Sequence, residues 1–347
     1  MFGDTHSPSS LSPDELDEYL EKGWYRMGQT IFTCNFLHFN RQFYSAVWLR
    51  LRLLDYQEES TFKKLKKLNV SFEVRIQAAN ITAEKEALFQ LYKTGIKFET
   101  SSSLQSLLFG DSALNIYDTK EVCIYHQEKL IAVGYFDLGT HTAAGIVSFY
   151  DPAYKKHSLG KYLIYHKIAF CIQEGKSFFY PGYFAPHYPM FDYKLAIGKP
   201  AIEFLSLYSN QWEPLAKFNS LPSPLEKMEH YLAVMQVYLF HKGIKTIRLK
   251  YEFYNANSIP HLQGLALFDY PEFIFVFSPN HQGFNPVLVY DVVENQYKLL
   301  KCNSMYHDET YLSTDNHFGS HLMKVQEILF VGEDKKLMLD LFLPAEG

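Results

Sequence analysis

Leu130-Ile131-Ala132-Val133-Gly134-Tyr135-Phe136-Asp137-Leu138 is the stretch on which the fold turns: an apolar, β-branched and aromatic run that predicts a strand. Upstream, Glu121–His126 predicts its hairpin partner across a short polar turn at Gln127–Lys129, and Ala113–Tyr117 predicts a further strand. Before these, Val70–Ile76 alternates as a strand, and Thr82 caps a helix through Glu84–Tyr92. Downstream, Gly145–Tyr150 is a strand. Leu159–Glu174 is a helix with apolar residues at Leu159, Leu163, Ile164, Ile168 and Ile172, closed by Gly175. Ser177–Phe184 returns as a strand, but Pro181 has no N–H to donate to a ladder, so this strand is expected to be splayed or at an edge.

The flanks differ in character. At the N-terminus Ser12 suits an N-cap, Pro13 the first helical position and Glu15 a capping box, with the helix ending at Gly23. An aromatic, arginine-containing segment, Trp24–Leu54, follows. Beyond Leu221, Ser223-Pro224 and Glu226 open an amphipathic helix carrying Leu225, Met228, Leu232, Met235 and Leu239 as far as Gly243. Strand-like runs then occupy Ile247–Tyr254, Glu272–Phe277, Val287–Val293, Tyr297–Leu300 and Val325–Phe330. The expected class is α+β, divided into 1–68, 69–220 and an acidic, β-rich 221–347. That last unit either recognises a partner or covers surface of the core.

Composition bounds the function. The chain has 347 residues, 47% hydrophobic and 17% aromatic, enough for two or three cored units. No apolar run is long enough to span a bilayer, and the start, with Asp4 and a Ser/Pro-rich stretch, lacks the features of a signal peptide. Cys34, Cys123, Cys171 and Cys302 are scattered without metal-site spacing, so reduced thiols and a cytoplasmic location are expected. The net charge of −5 resides wholly in residues 221–347, with 10 Lys+Arg against 15 Asp+Glu; residues 1–220 hold 23 of each. Inside that neutral part, Arg41–Arg75 has 8 basic against 4 acidic residues and Asp151–Pro200 has 7 against 3. Such patches fit a polyanion docking on one face, or lysines such as Lys63, Lys64, Lys66 and Lys67 solvated on a helix.

A series of short words narrows this further. They run Gly23-Trp24-Tyr25-Arg26 with Gly28, Thr30, Ile31 and Phe32, then Phe72-Glu73-Val74-Arg75 with Thr82, Glu84-Lys85 and Leu91-Tyr92. Leu130–Gly134 with Asp137 follows, then Ser148-Phe149-Tyr150-Asp151-Pro152, Ser158-Leu159-Gly160, Gly182-Tyr183 and Asp192-Tyr193-Lys194, with Trp212 last. In this order, over about residues 11–215, the chain resembles the aminoacyl-tRNA–protein transferases of the arginyl and leucyl type. The resemblance implies a GNAT-like acyltransferase core over 69–220, with a slot expected between the Leu130–Leu138 and Ser177–Phe184 strands. It also implies a cytosolic enzyme that uses aminoacyl-tRNA and a protein or peptide beginning with Asp or Glu, with no cofactor, DNA or membrane partner. Which amino acid is moved stays open.

The chemistry implied is aminolysis of an ester, needing positioning, a proton acceptor and oxyanion donors. Asp137, ending the strand beside the slot, is the expected proton acceptor or amine-orienting group; its plainer role is to cap the turn at Leu138–Gly139. Ser158, Leu159 and Gly160 at a helix start, with Gly182, Tyr183, Tyr193 and Lys194, are expected to meet the donor. Lys155, Lys156 and Lys161 would contact tRNA phosphates. Arg50 and Arg52, where the family places basic residues, would grip an acidic acceptor beside Tyr150; the plainer alternatives are an exposed strand face for the arginines and core packing for Tyr150 and Tyr183.

Other classes stay in view. A CoA-dependent acyltransferase would want a second small residue where Tyr162 stands, and that bulk is expected to obstruct a pyrophosphate. A silent binding relative is the third class, because the family's closely spaced N-terminal cysteines are here replaced by Thr33-Cys34-Asn35-Phe36-Leu37-His38-Phe39-Asn40-Arg41. Either Phe36, Phe39, Phe43 and Tyr44 hold that segment by packing, or its role has changed. His317 and His321 stand at helical spacing, but Gly319 between them argues against a zinc site. One thiol cannot close a tetrahedral site. Purified protein is therefore expected to contain no stoichiometric zinc or iron, and chelators to leave its melting temperature unchanged; one metal per chain held through Cys34 in elemental analysis would overturn this.

Overall fold

The computed structural model describes residues 2–96, 100–112, 114–218, 221–277, 286–307 and 316–341. Strand β1 (Gly3–His6) precedes helix α1 (Pro13–Glu21), which begins with the expected capping box: Ser12 Oγ accepts from the Glu15 N–H at 3.2 Å, and Glu15 accepts from the Ser12 N–H at 2.7 Å. Strands β2 (Tyr25–Met27) and β3 (Thr30–Cys34) complete a small sheet with β1. The segment with Cys34 alone leads into the hairpin β4 (Phe36–Phe39)–β5 (Gln42–Ser45), which aromatic contacts hold. Phe39 stacks on Tyr188 at 5.2 Å, and Phe43 meets Tyr254 edge-on at 5.0 Å.

Strand β6 (Val47–Arg52) comes next, then α2 (Ser60–Leu68), β7 (Phe72–Ala78), α3 (Ala83–Lys93) and α4 (Leu104–Phe109). The meander β8 (Thr119–His126), β9 (Lys129–Leu138), β10 (Thr142–Tyr150) leads into α5 (Leu159–Gln173) and β11 (Phe178–Phe184). Strands β12 (Ile202–Ser206) and β13 (Gln211–Pro214) close an eight-stranded sheet of order β13-β12-β6-β11-β10-β9-β8-β7. Every pairing in it is antiparallel except β10 with β11. Strand β9 is apolar over Leu130–Phe136 because both its faces are covered. Val133 and Tyr135 pack with Leu88, Phe89, Leu104 and Leu108 of α3 and α4; Ile131 and Phe136 pack in the core shared with Leu163 and Ile168 of α5.

Three expectations are corrected. The strand expected at Ala113–Tyr117 does not form over residues 114–117; residue 113 lies outside the described residues. The strands expected to flank the slot, Leu130–Leu138 and Ser177–Phe184, are not neighbours, because β10 lies between them. Nor does 1–68 stand apart from 69–220: β6 is an interior strand of the large sheet, bonded to β11 on one side and β12 on the other.

After a short helix α6 (Leu215–Phe218), α7 (Pro224–His241) lies against a second sheet. That sheet is built from β14 (Lys245–Tyr251), β15 (Glu272–Phe277), β16 (Val287–Asp291), β17 (Gln296–His307), β18 (His317–Phe318) and β19 (His321–Gly332), followed by α8 (Lys335–Leu339). His317 and His321 thus stand on strands, not on one helical face. The N-terminal segment reaches into this unit too: Phe2, Phe36 and Phe43 are part of its core, and Leu225 N–H donates to Ser45 Oγ at 2.9 Å.

One buried ion pair fastens the N-terminal segment to the large sheet. Arg26 Nη1 lies 2.8 Å from Asp137 Oδ1, which also accepts from Thr119 Oγ1 at 2.6 Å, and the Arg26 side chain is spread over the Tyr117 ring at 4.4 Å. Asp137 is 0% exposed, and burial raises its carboxyl pKa against the opposing pull of Arg26. Removing one member of such a pair strands a buried charge. Arg26→Met is expected to cost about 3–5 kcal/mol in denaturant unfolding, and Arg26→Met with Asp137→Leu less than the sum of the two single changes. A loss from Arg26→Met within experimental error would show the pair to be dispensable.

Candidate active site

The slot lies between β10 and β11. They pair in parallel only at Thr142↔Phe178, Ala143↔Phe179 and Ala144↔Tyr180, then part. Local sequence forces this: Pro181 has no N–H for the ladder, and Gly182 adopts φ +89, where a side chain would be strained. A bulge between Gly145 and Val147 bends β10 on the other side. Tyr25 stands at the fork, its hydroxyl 2.6 Å from the Gly145 carbonyl oxygen and 2.5 Å from that of Tyr180. The Gly-Trp-Tyr-Arg word therefore delivers two adjacent residues to two jobs, Tyr25 to the fork and Arg26 to Asp137.

Beyond the fork the strands enclose a cavity of about 460 Å³, roofed by α5 and the turn Pro189–Ala196. Its size falls within the roughly 300–1,000 Å³ of small-molecule sites. Four lysines line it: Lys155, Lys161, Lys167 and Lys194. No carboxylate or histidine does so among the described residues. Lys167 rises from the buried face of α5 and donates to the carbonyls of Tyr135 (2.8 Å) and Val147 (3.0 Å) and to Ser148 Oγ (3.1 Å). Gly134 makes room for it, because a Cβ there would come 2.8 Å from Lys167 Cε. Burial pushes the Lys167 amine down to about 7, with Cys171 and Asp137 pulling the other way.

Lys194 enters from the opposite wall. Its Nζ donates to the Tyr183 carbonyl at 2.6 Å and lies 4.9 Å from the Phe191 ring centre. Withdrawal from water pushes this amine down to about 7 as well. At the other end of the cavity, Ser158 opens α5 in a left-handed conformation (φ 53, ψ 40), and its side chain makes no capping bond. The first-turn N–H groups of α5 are thus left for another acceptor, which makes this end suited to anionic or polar oxygen.

Of the residues singled out from sequence, the structure brings Tyr150, Lys155, Ser158, Gly160, Lys161, Tyr193 and Lys194 together around the cavity. Gly182 sits at the fork, where a Cβ would come 3.2 Å from Lys194 Nζ. Tyr183 contributes its carbonyl while its ring packs edge-on against Trp48. Leu159 is buried in the core beneath, and Lys156 is not among the lining residues. Asp137 is outside the cavity, occupied by Arg26 and Thr119. Arg50 and Arg52 are held at the far side of the sheet. Arg50 bonds Glu203 (2.7 Å) and Glu21 (2.6 Å) between the rings of Phe178 and Trp212; Arg52 also bonds Glu203. Tyr162 obstructs nothing, since its ring is buried against His166 and Phe62.

Sequence reasoning missed Lys167, Tyr25 and Tyr92. Lys167 left a signal: it follows Leu163 and precedes Cys171 at i,i+4 steps, a cation on the buried stripe of a helix, where lysine is seldom found without a role. Tyr25 and Tyr92 stand in the quoted words, but nothing there marks them as site residues, because an aromatic residue in a core and one in a pocket look alike in sequence.

Part of the chain is similar to known proteins. Residues 84–202 match the family described as arginine-tRNA-protein transferase, C terminus. An aspartate/glutamate leucyltransferase of Leptospira interrogans is 26% identical over 193 residues, covering 54% of this chain and 73% of that protein. One of Campylobacter jejuni is 23% identical over 194 residues, covering 52% and 77%. Among solved structures, L-PGS from Bacillus licheniformis aligns with TM-score 0.30 and 10% identity over 49% of each chain. FemX aligns with TM-score 0.32 and 7% identity over 52% of this chain and 63% of its own. The chain thus spans about half the length of the L-PGS structure. Residues 84–202 are thus similar to the arginine-tRNA-protein transferase C-terminus family, and distant relatives match over about half of this chain.

Proposed function

We propose that this protein is an aminoacyl-tRNA–protein transferase with a GNAT-like core, moving an amino acid of the arginyl or leucyl kind from charged tRNA to the α-amine of a protein or peptide beginning with Asp or Glu. The observation that carries the reading is the lysine-lined slot between β10 and β11, opening at the uncapped start of α5 inside the segment that matches the family. Such an enzyme works in the cytoplasm, where charged tRNA is found. No helix among the described residues is long and apolar enough to cross a membrane.

The tRNA 3′ end enters over Lys155 and Lys161 with its oxygens toward the α5 N-terminus, and Lys156 extends the phosphate-binding surface outside the cavity. The acceptor amine attacks the ester carbonyl, a C–N bond forms, the C–O bond to the tRNA breaks, and the amine proton must go to a base. With Asp137 committed to Arg26, that role passes to Lys194, whose neutral form has a free lone pair. Lys167, with three acceptors around its nitrogen, holds the bulged edge of β10. The lysine-rich lining also suits an acidic acceptor, a role Arg50 and Arg52 cannot fill while bound to Glu203. A second reading, a CoA-dependent acyltransferase, is favoured by one observation: Tyr162 is turned into the core, leaving the start of α5 open to a pyrophosphate.

Calorimetry separates the two. Salt-sensitive binding of charged tRNA is expected, with Lys155→Glu and Lys161→Glu together lowering the log–log salt slope by about two. Micromolar acetyl-CoA binding without tRNA binding would favour the second reading. In the transfer assay, the rate is expected to rise with pH through about 7, because the neutral fraction of Lys194 grows above that value. Lys194→Arg, which cannot lose its proton, should abolish that rise and lower the rate by about a hundredfold or more. An unchanged profile would remove Lys194 from the proton path.

A further inference from the structure

Trp24 stands beside Tyr25 in the chain but faces a different cavity. That cavity, of about 390 Å³, shares no lining residue with the slot. It lies where β1 and α1 meet the short helical turn Ala256–Ser258 of the second unit, with Asp4, His6, Tyr19, Trp24 and Asn257 in its walls. Its size is that of a small-ligand site.

The charge around it has one sign. Asp4 supplies a carboxylate, and no lysine or arginine lines the cavity among the described residues. Asp4 Oδ1 accepts from the Thr5 N–H at 2.8 Å and from Gln263 Nε2 at 3.3 Å, whereas Oδ2 accepts nothing from the described residues. Helix α1, which brings Tyr19, carries Asp14, Glu15, Asp17, Glu18 and Glu21 and no basic residue, so the local field is negative. Asn257 is 4% exposed, yet its side-chain amide bonds none of the described residues and is not sealed in by protein; it is left open to the cavity. A buried amide without a partner is uncommon in a folded protein.

Aromatic rings complete the walls. His6 meets Tyr19 at 5.8 Å and 44°, and Tyr19 meets Trp24 at 5.7 Å and 60°. A hydrogen bond between His6 Nδ1 and the Tyr19 hydroxyl fixes that pair. Rings tilted against one another surround a compact charge, whereas a planar guanidinium is held best flat on a ring face.

We propose that this cavity is a binding site for a primary ammonium group, separate from the transfer slot. A primary ammonium is a compact cation with three N–H donors. Asp4 Oδ2 takes one donor, the Asn257 amide oxygen takes another, and the faces of Tyr19 and Trp24 attract the charge. An anion is repelled by Asp4 and α1, and an apolar ligand leaves the amide and the carboxylate unpaired. A lysine side chain of a polypeptide and a free alkylamine carry this same group.

The test is calorimetric titration of the full chain with N-acetyl-lysine methylamide, its analogue with a methyl group in place of the ammonium, N-acetyl-arginine methylamide and n-butylammonium. The lysyl amide is expected to bind at least about tenfold more tightly than the methyl analogue. Tighter binding of the lysyl amide than of n-butylammonium assigns the site to a polypeptide side chain; equal or weaker binding assigns it to a free amine. Asp4→Asn keeps an oxygen for the Thr5 and Gln263 donors and should lower the affinity at least about tenfold. Trp24→Leu should lower it about fivefold; if that variant fails to fold, Asp4→Asn decides. Glu18→Gln, exposed on α1 outside the cavity, should leave the affinity within about twofold, because solvent screens it. Equal binding of the methyl analogue, tighter binding of the arginyl amide, or no binding of any probe overturns the proposal. So does an equal loss from Glu18→Gln and Asp4→Asn, which would show only diffuse attraction to α1.

Discussion

The parting of β10 from β11 after Ala144↔Tyr180 is the constraint on which the rest of this molecule depends. Two strands in register normally go on pairing, since every unpaired backbone group in a buried sheet costs free energy. Here that tendency is defeated by three local devices. Pro181 removes a donor, Gly182 turns the chain through a positive φ, and the Tyr25 hydroxyl meets the Gly145 and Tyr180 carbonyls where the ladder stops. If the strands closed, the cavity and its lysines would have no place to stand.

Holding the fork open requires support from outside the segment that contains it. Tyr25 comes from the N-terminal segment, which Arg26 anchors to Asp137 and β6 stitches into the sheet between β11 and β12. The same segment reaches the second sheet through Phe2, Phe36 and Phe43. Its hairpin is fastened by aromatic contacts such as Phe39 on Tyr188, a chain position next to the Pro189–Ala196 turn that carries Lys194. The cavity is therefore assembled from parts of the chain far apart in sequence, and the N-terminal segment is structural in both units.

The electrostatics follow from this assembly. Lys167 and Lys194 approach the cavity from opposite walls, and both are drawn toward neutrality by loss of water. Lys167 is largely satisfied by carbonyls and Ser148, so its part is to hold a bulged strand edge; Lys194 has one carbonyl and an aromatic surround. Two lysines of the same type thus differ in what they can do because their neighbours differ. The carboxylate that sequence position placed beside the slot, Asp137, faces away from the cavity and is already engaged.

Much of this was legible in the residues themselves. Ser12-Pro13 and Ser223-Pro224 open helices as expected, and the runs at Leu130, Gly145 and Leu159 form the predicted elements. These are local events, decided by capping atoms and side-chain period within a few residues. Short words in order also carried the family resemblance and included Ser158, Gly160 and Lys194, which the structure gathers around the cavity. What the sequence alone could not determine was which strands are neighbours and which charges meet. Pro181 announces that one edge of its strand lacks a donor, but not that β10 is the strand it leaves. Arg50, Arg52 and Asp137 carry the right charges for a site, yet their partners, Glu203 and Arg26, lie 153, 151 and 111 residues away in the chain. Tertiary structure decided those pairings, because a buried charge goes to whichever opposite charge the fold brings within reach, and sequence distance does not enter that choice.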